Sequence, residues 1–146
     1  MSIAVAIDGS PASVAALDYA VELAQRDGKK LTGVFVIDSE WADFIGNDWQ
    51  SSRNARQGFL DYMLQQQQEQ AGAAGAQFAQ ATQGLKDASF SVLVGDPPRA
   101  LVDWMDGDAE MLVLGQATFQ VCGRPSMKGL ARSLTKKLRK PVVVCP

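Results

Sequence analysis

Two short, largely apolar runs, Ile3–Ile7 and Leu31–Ile37, flank a segment of helical periodicity, and this alternation constrains the chain more than any other feature. A run of that length without polar alternation fits a strand covered on both faces, as in parallel sheets. Between the two, Ser10 is placed to cap a helix and Pro11 stands at its first position. Val14, Leu17, Val21 and Ala24 then recur at helical spacing until Asp27-Gly28. Strand, helix and strand in that order predict a right-handed crossover and a parallel sheet.

The alternation continues after a long polar connection, Asp38 to Gly58, which holds Trp41, Phe44, Trp49 and the turn pair Gly46-Asn47. Such a stretch reads as a lid, a short surface helix or a loop, and its aromatic residues are more commonly tethers to a core than a cover for a ligand. Phe59, Met63, Ala71, Ala74, Phe78 and Ala81 then form one helical stripe that Gly84 closes, with the glutamine-rich stretch 65–70 read as a solvated face. Ala88–Val94 reads as a third, peripheral strand. Gly95-Asp96-Pro97-Pro98 turns into a helix with Leu101, Val102 and Met105, and Gly107-Asp108 ends it. Met111–Leu114 is a fourth strand that ends at Gly115, and Gln116–Leu130 reads as an irregular loop. A basic helix follows from about Ala131 to Arg139, and Val142–Cys145 forms a last strand. This order predicts one α/β domain over 1–146, an open doubly wound sheet with helices on both faces. Ligands of such sheets sit at the carboxyl ends of the strands, here Asp8-Gly9-Ser10, Val36-Ile37-Asp38, and Gly115 with its loop.

The chain has no histidine, which removes histidine triads, histidine general bases and HExxH metal sites together. Cys122 and Cys145 lack CxxC spacing and read as free thiols, and no metal site is expected. No apolar run approaches the ~20 residues of a membrane helix, and the start lacks a signal-peptide pattern, so a cytoplasmic protein without a membrane partner is expected. Net charge is −2, but no acidic residue follows Glu110, whereas Arg124, Lys128, Arg132, Lys136, Lys137, Arg139 and Lys140 are basic. These cations fit either attraction of phosphate groups or a solvated helix end. The patch lacks interleaved aromatics and the whole chain is acidic, so nucleic acid is not the expected partner.

The segments AVAIDGSPAS, VLVGDPPRALVDW, DAEMLVLG and KPVVVCP, in this order and at these separations, closely resemble the universal stress protein family. The resemblance implies a Rossmann-like, five-stranded parallel sheet, a homodimer and a role in bacterial growth arrest and stress. It also implies two branches, of which one binds ATP through an aspartate after the first strand, backbone groups at the end of the second, and a loop G-x-x-G-x9-G-[ST]. Asp8 and Gly115 match that pattern, while Thr118 stands at the second glycine and Lys128 at the third, with Gly129 one place late. Reading Ser133 as the hydroxyl residue places Arg132 where a glycine belongs. The candidate nucleotide residues are therefore Asp8, Gly9, Ser10, the Val36 backbone, Gly115, Thr118, Arg124, Lys128, Gly129 and Ser133, with the cations able to replace missing backbone contacts.

Two readings follow. In the first, the protein is non-catalytic, dimeric, and binds nucleotide weakly or not at all. In the second, it is a regulator that binds ATP with magnesium and hydrolyses it slowly. No catalytic residue is assigned in either, because Ser10 is better explained as a helix cap than as a nucleophile. Val142, Val143, Val144 and Cys145, if they form a sheet edge, are the expected dimer contact.

Overall fold

A computed structural model of the chain describes residues 1–47 and 53–146. Its five strands form one all-parallel sheet: β1 (Ser2–Ala6), β2 (Lys30–Asp38), β3 (Ala88–Gly95), β4 (Ala109–Gly115) and β5 (Val142–Cys145), in the spatial order β3-β2-β1-β4-β5. The helices are α1 (Val14–Asp27), α2 (Trp41–Ile45), α3 (Arg53–Ala81), α4 (Pro97–Trp104) and α5 (Leu130–Lys137). With right-handed crossovers, α1 and α3 lie on one face of the sheet and α4 and α5 on the other, and the observed packing of α1 with α3 and of α4 with α5 agrees. Strand order reverses between β1 and β4, so the crevice of a doubly wound sheet opens there.

Apolar runs become central strands because both of their faces are covered. Ile3 through Ile7 are completely buried, as are Leu112, Val113 and Leu114 beside them. Burying each isoleucine, valine or leucine side chain among them stabilises the fold by roughly 1.5–3 kcal/mol before entropy is counted. At Gly33, an added Cβ would stand 2.6 Å from the Phe78 ring, so a side chain there would displace α3 from the sheet.

The helix boundaries differ from the expected ones where turn chemistry decides them. The long connection is shortened by α2 and by the start of α3 at Arg53. Trp41 packs edge-on against Phe44 and Phe59, at 5.6 and 5.8 Å between ring centroids, and so ties α2 to α3. Trp49 lies outside the described residues. The loop before α5 contains a 3-10 turn, Pro125–Gly129, and α5 ends at Lys137 because Leu138 is already extended. In α3 the helix ends at Ala81, three residues before Gly84, and Thr82 returns its hydroxyl to the Phe78 carbonyl at 2.8 Å.

Candidate functional site

Asp8 sits where β1 leaves the sheet, and it is 2% exposed. Its Oδ1 accepts hydrogen bonds from the Ser10 N–H (3.0 Å), the Ser10 hydroxyl (2.6 Å) and the Ser13 hydroxyl (2.7 Å). Its Oδ2 accepts from the Phe119 N–H at 2.9 Å, in the loop after β4. Both oxygens are thus engaged within the chain, and the carboxylate locks two loops together across the mouth of the crevice. Ser10 also caps the 3-10 turn Pro11–Ser13 by accepting from the Ala12 N–H at 3.2 Å, as its place before a proline predicts. Gly9, at φ 78°, lies under α3: an added Cβ would stand 2.7 Å from the Ala74 nitrogen. Its glycine serves helix packing as much as any ligand.

At β4 the same tightness recurs. Thr118, 1% exposed, accepts a hydrogen bond from the Gly115 N–H through its hydroxyl at 3.1 Å. That N–H is the donor a glycine loop would offer to an anion, and here a side chain of the loop takes it. An added Cβ at Gly115 would stand 2.3 Å from the Ala12 carbonyl oxygen, so Gly115 is required by the neighbouring turn itself.

At the end of β2 the partner comes from α3. The Gln67 side chain accepts from the Asp38 N–H at 2.6 Å and donates to the Asp38 carbonyl at 3.1 Å. A primary amide bonded to both groups presents the same donor and acceptor pair as the edge of a nucleobase. Gln67 is 5% exposed, so the expected solvated glutamine face is corrected at this position. The signal was present in the helical stripe: Met63, Gln67, Ala71, Ala74 and Phe78 follow at spacings of four, four, three and four. Val36 itself is 2% exposed and paired in register with Leu93.

Phe119 fills what remains between these ends. Its ring lies 5.6 Å from that of Phe35, its backbone has φ 70°, and it is 6% exposed. A bulky residue in the left-handed region is held there by its surroundings, here by the Asp8 hydrogen bond and the packed ring. With Val121 and Met127 alongside, the crevice keeps about 10 Å³ for a water-sized sphere. That is room for about one water, against the ~300 Å³ or more of a typical small-molecule pocket.

Arg124 latches the same loop from outside. Its Nε donates to Asp38 Oδ2 at 2.5 Å and an Nη donates to Asp96 Oδ1 at 2.8 Å. Burial works against the guanidinium charge, but hydrogen bonds and attraction from Asp38 and Asp96 outweigh it and hold the group above its ordinary value. Arg124 is therefore committed to two carboxylates and is not a spare phosphate ligand. Beyond it lies an open depression of about 540 Å³ lined by Glu40, Asp43, Phe44, Asp96 and Arg99. A hydrogen bond with Asp43 pushes the Glu40 carboxyl up, and the carboxylates there repel phosphate. Among the described residues, no group of three or more acidic, cysteine or histidine side chains is placed to hold a metal ion. The arrangement around Gly115 and Thr118 does not fit a magnesium–triphosphate.

Of the sequence candidates, the fold brings together Asp8, Gly9, Ser10, Val36, Gly115, Thr118 and Arg124. Lys128 and Gly129 end the 3-10 turn and are exposed, and Ser133 is half-buried on α5. Gly129 has φ −99° and open space at its Cβ position, so nothing in the backbone requires glycine there. Gln67, Asp38 and Phe119 were not among the candidates. Cys122 is exposed and Cys145 buried, and burial pushes the Cys145 thiol up.

A family model described as the Universal stress protein family matches residues 1–146. Among solved structures, a universal stress protein UspA from Lactobacillus plantarum superposes with a TM-score of 0.73 at 23% identity, covering 100% of this chain and 97% of that one. A universal stress protein in complex with cAMP gives a TM-score of 0.59 at 19% identity, covering 100% and 97%. One from Archaeoglobus fulgidus in complex with dAMP gives 0.61 at 22% identity, covering 100% and 98%. Comparison with curated proteins returned no match. Among the described residues, no helix is long and apolar enough to cross a membrane.

Proposed function

This chain belongs to the universal stress protein family, and from that premise we propose that it is a non-catalytic, cytoplasmic, homodimeric stress-response protein. In this reading it binds adenine nucleotides weakly or not at all and acts through protein partners. The observation that carries the reading is the self-filled crevice. Gln67 holds the Asp38 backbone, Thr118 holds the Gly115 N–H, Asp8 holds the Phe119 N–H, and Phe119 takes the space between. A nucleotide has to displace these contacts, and the free energy of opening is subtracted from its binding. Serine nucleophiles find no support either, since Ser10 and Ser13 spend their hydroxyl protons on Asp8.

The second reading, an ATP–magnesium regulator with slow hydrolysis, draws on the relatives solved with cAMP and dAMP. It requires the loop of Phe119 and Arg124 to swing away. Calorimetry with ATP and magnesium separates the two. No saturable heat at millimolar nucleotide supports the closed crevice, and saturable binding in the micromolar range refutes it. Homodimerisation through β5 is supported by its place at the sheet edge and by the half-buried Val142, Val143 and Val144, whose outer backbone groups have no strand neighbour among the described residues.

A further inference from the structure

β3 forms one margin of the sheet. It pairs with β2 in an unbroken register from Leu31 opposite Ala88 to Asp38 opposite Gly95, and among the described residues no strand lies on its other side. The Leu31 N–H donates to the Asp87 carbonyl and the Ser39 N–H to the Gly95 carbonyl, so the odd-numbered residues of β3 turn their backbone groups toward β2. Ala88, Phe90, Val92 and Val94 therefore turn theirs outward, as a row of donors and acceptors without a strand partner among the described residues. Natural proteins blunt such an edge with a charge, a proline or a bulge, and Ala88–Gly95 has none of these.

The same residues carry an uncovered apolar strip. Phe90 sets its ring 5.6 Å from that of Phe78, so Val92 and Val94 follow it on the α3 side of the sheet. Val92 is nevertheless 45% exposed and Val94 69%. Gly75 marks the face of α3 that looks this way, since its Cβ position lies 3.6 Å from the Phe90 ring. Leu64 stands three turns earlier on nearly the same face and is exposed as well.

The two ends of the strand differ in charge. At its start, an open depression of about 400 Å³ includes Lys30, Lys86 and Asp87 in its lining, while Lys29 there is engaged by Glu110. At its end lies the depression of Asp96 and Arg99, where Asp38, Glu40, Asp43 and Asp96 outnumber Arg99 and Arg124. The open edge thus runs from a basic hollow to an acidic one.

We propose that β3 is the docking edge for an extended segment of a partner protein. The segment adds a sixth strand, with apolar residues at alternate positions, a cationic end over Glu40, Asp43 and Asp96, and an anionic end over Lys30 and Lys86. The proposal rests on the reading that the protein acts through partners, and it names the surface and chemistry of that contact. Main-chain hydrogen bonds to Phe90, Val92 and Val94 supply affinity, and the alternate side chains and charged ends supply selectivity. A second copy suits this edge less well. Eight residues at ~3.3 Å each span about 26 Å, and a strip roughly 10 Å wide along them offers about 260 Å², against the ~800 Å² per partner of a stable interface between folded proteins. A flexible segment is not held to that strip, because its ends reach into both depressions. A copy here, added to one at β5, would also extend the sheet without closure.

The test is NMR of the isotope-labelled full chain without nucleotide. The probe is a capped synthetic peptide in which valines alternate with threonines between a pair of lysines and a pair of glutamates, made in both chain directions. In the free chain the Phe90, Val92 and Val94 amides are expected to exchange freely with solvent, while those of Ser91 and Leu93, turned toward β2, are protected. One direction of the peptide is expected to shift and protect the three outward amides saturably, with Kd of about 1 mM or below. Methylating the peptide's backbone amides is expected to weaken binding at least about tenfold, as is Val92→Pro, which removes an outward N–H and no bond to β2. Circular dichroism checks that this variant folds, and the methylated peptide makes the test independent of it. No saturable shift along β3 with either direction, or equal binding of the methylated peptide, overturns the docking edge. Protection of the outward amides in the free chain that grows with protein concentration assigns the edge to a second copy and overturns it too. Either failure leaves the closed crevice standing, because nucleotide plays no part in the titration.

Discussion

Asp8 and Phe119, 111 positions apart in the chain, are joined by a 2.9 Å hydrogen bond from the Phe119 amide to a buried carboxylate oxygen. Through it the first turn of the fold and the loop after β4 hold each other closed. Asp8→Asn replaces one acceptor with a donor facing N–H or O–H groups. The expected loss is about 2–3 kcal/mol of stability, read from urea unfolding, because hydrogen bonds to ionised groups are among the stronger ones and a buried donor is left unpaired. An unchanged urea midpoint would mean that the carboxylate contributes nothing to closure.

Gln67 closes the β2 end of the crevice from α3. Gln67→Ala leaves the Asp38 N–H and carbonyl without that partner, and is expected to cost about 1–3 kcal/mol in unfolding free energy. It also vacates a donor and acceptor pair suited to an adenine edge. AMP affinity measured by calorimetry is therefore expected to rise relative to the parent. Lower affinity in the variant would identify Gln67 as a ligand contact instead.

Gly115 and Gly129 both fall on or beside the glycine-loop pattern, but the fold needs only one of them. Gly115→Ala drives a methyl into the Ala12 carbonyl, 2.3 Å away, and is expected to destabilise by about 2–4 kcal/mol or prevent folding. Gly129→Ala meets open space at an ordinary φ, and its melting temperature is expected to match or slightly exceed the parent's, a change within about 0.5 kcal/mol. Equal effects at the two positions would contradict the geometry.

Burial raises the Cys145 thiol, so the unfolded chain loses this proton at lower pH than the folded one. Stability from this group is complete below the ordinary thiol value and declines as pH rises above about 8.5. Comparing urea midpoints of the parent and Cys145→Ala between pH 8 and 10 isolates the effect from lysine and tyrosine titration, and the parent is expected to show the steeper decline. Ellman's reagent should modify the exposed Cys122 quickly and Cys145 only on unfolding.

The strands and the crevice were legible in the sequence because two-sided burial writes itself as uninterrupted apolar runs such as Ile3–Ile7. The Ser10 cap was legible because capping is local. The occupants of the crevice were not. Gln67 follows Met63 by one helical turn and so lies on the buried stripe, yet its polarity and its glutamine neighbours argue for solvent. Only the approach of α3 to the end of β2 gives it the Asp38 backbone to bind. Phe119 falls in a loop without periodicity, and its burial depends on Asp8, at the other end of the chain. Arg124 reads as a phosphate ligand until the fold sets Asp38 and Asp96 beside it. Long-range pairings of this kind leave no spacing to detect.

The central claim, that the crevice is filled by the protein's own side chains, is tested most directly by NMR. The probes are the Gln67 side-chain amide and the Asp38, Gly115 and Phe119 backbone amides, followed during titration with AMP and with ATP and magnesium. The account predicts that these four resonances stay in place up to millimolar nucleotide and that the backbone amides are protected from hydrogen exchange. Saturable shifts centred on Gln67 and Phe119 at micromolar nucleotide would contradict it.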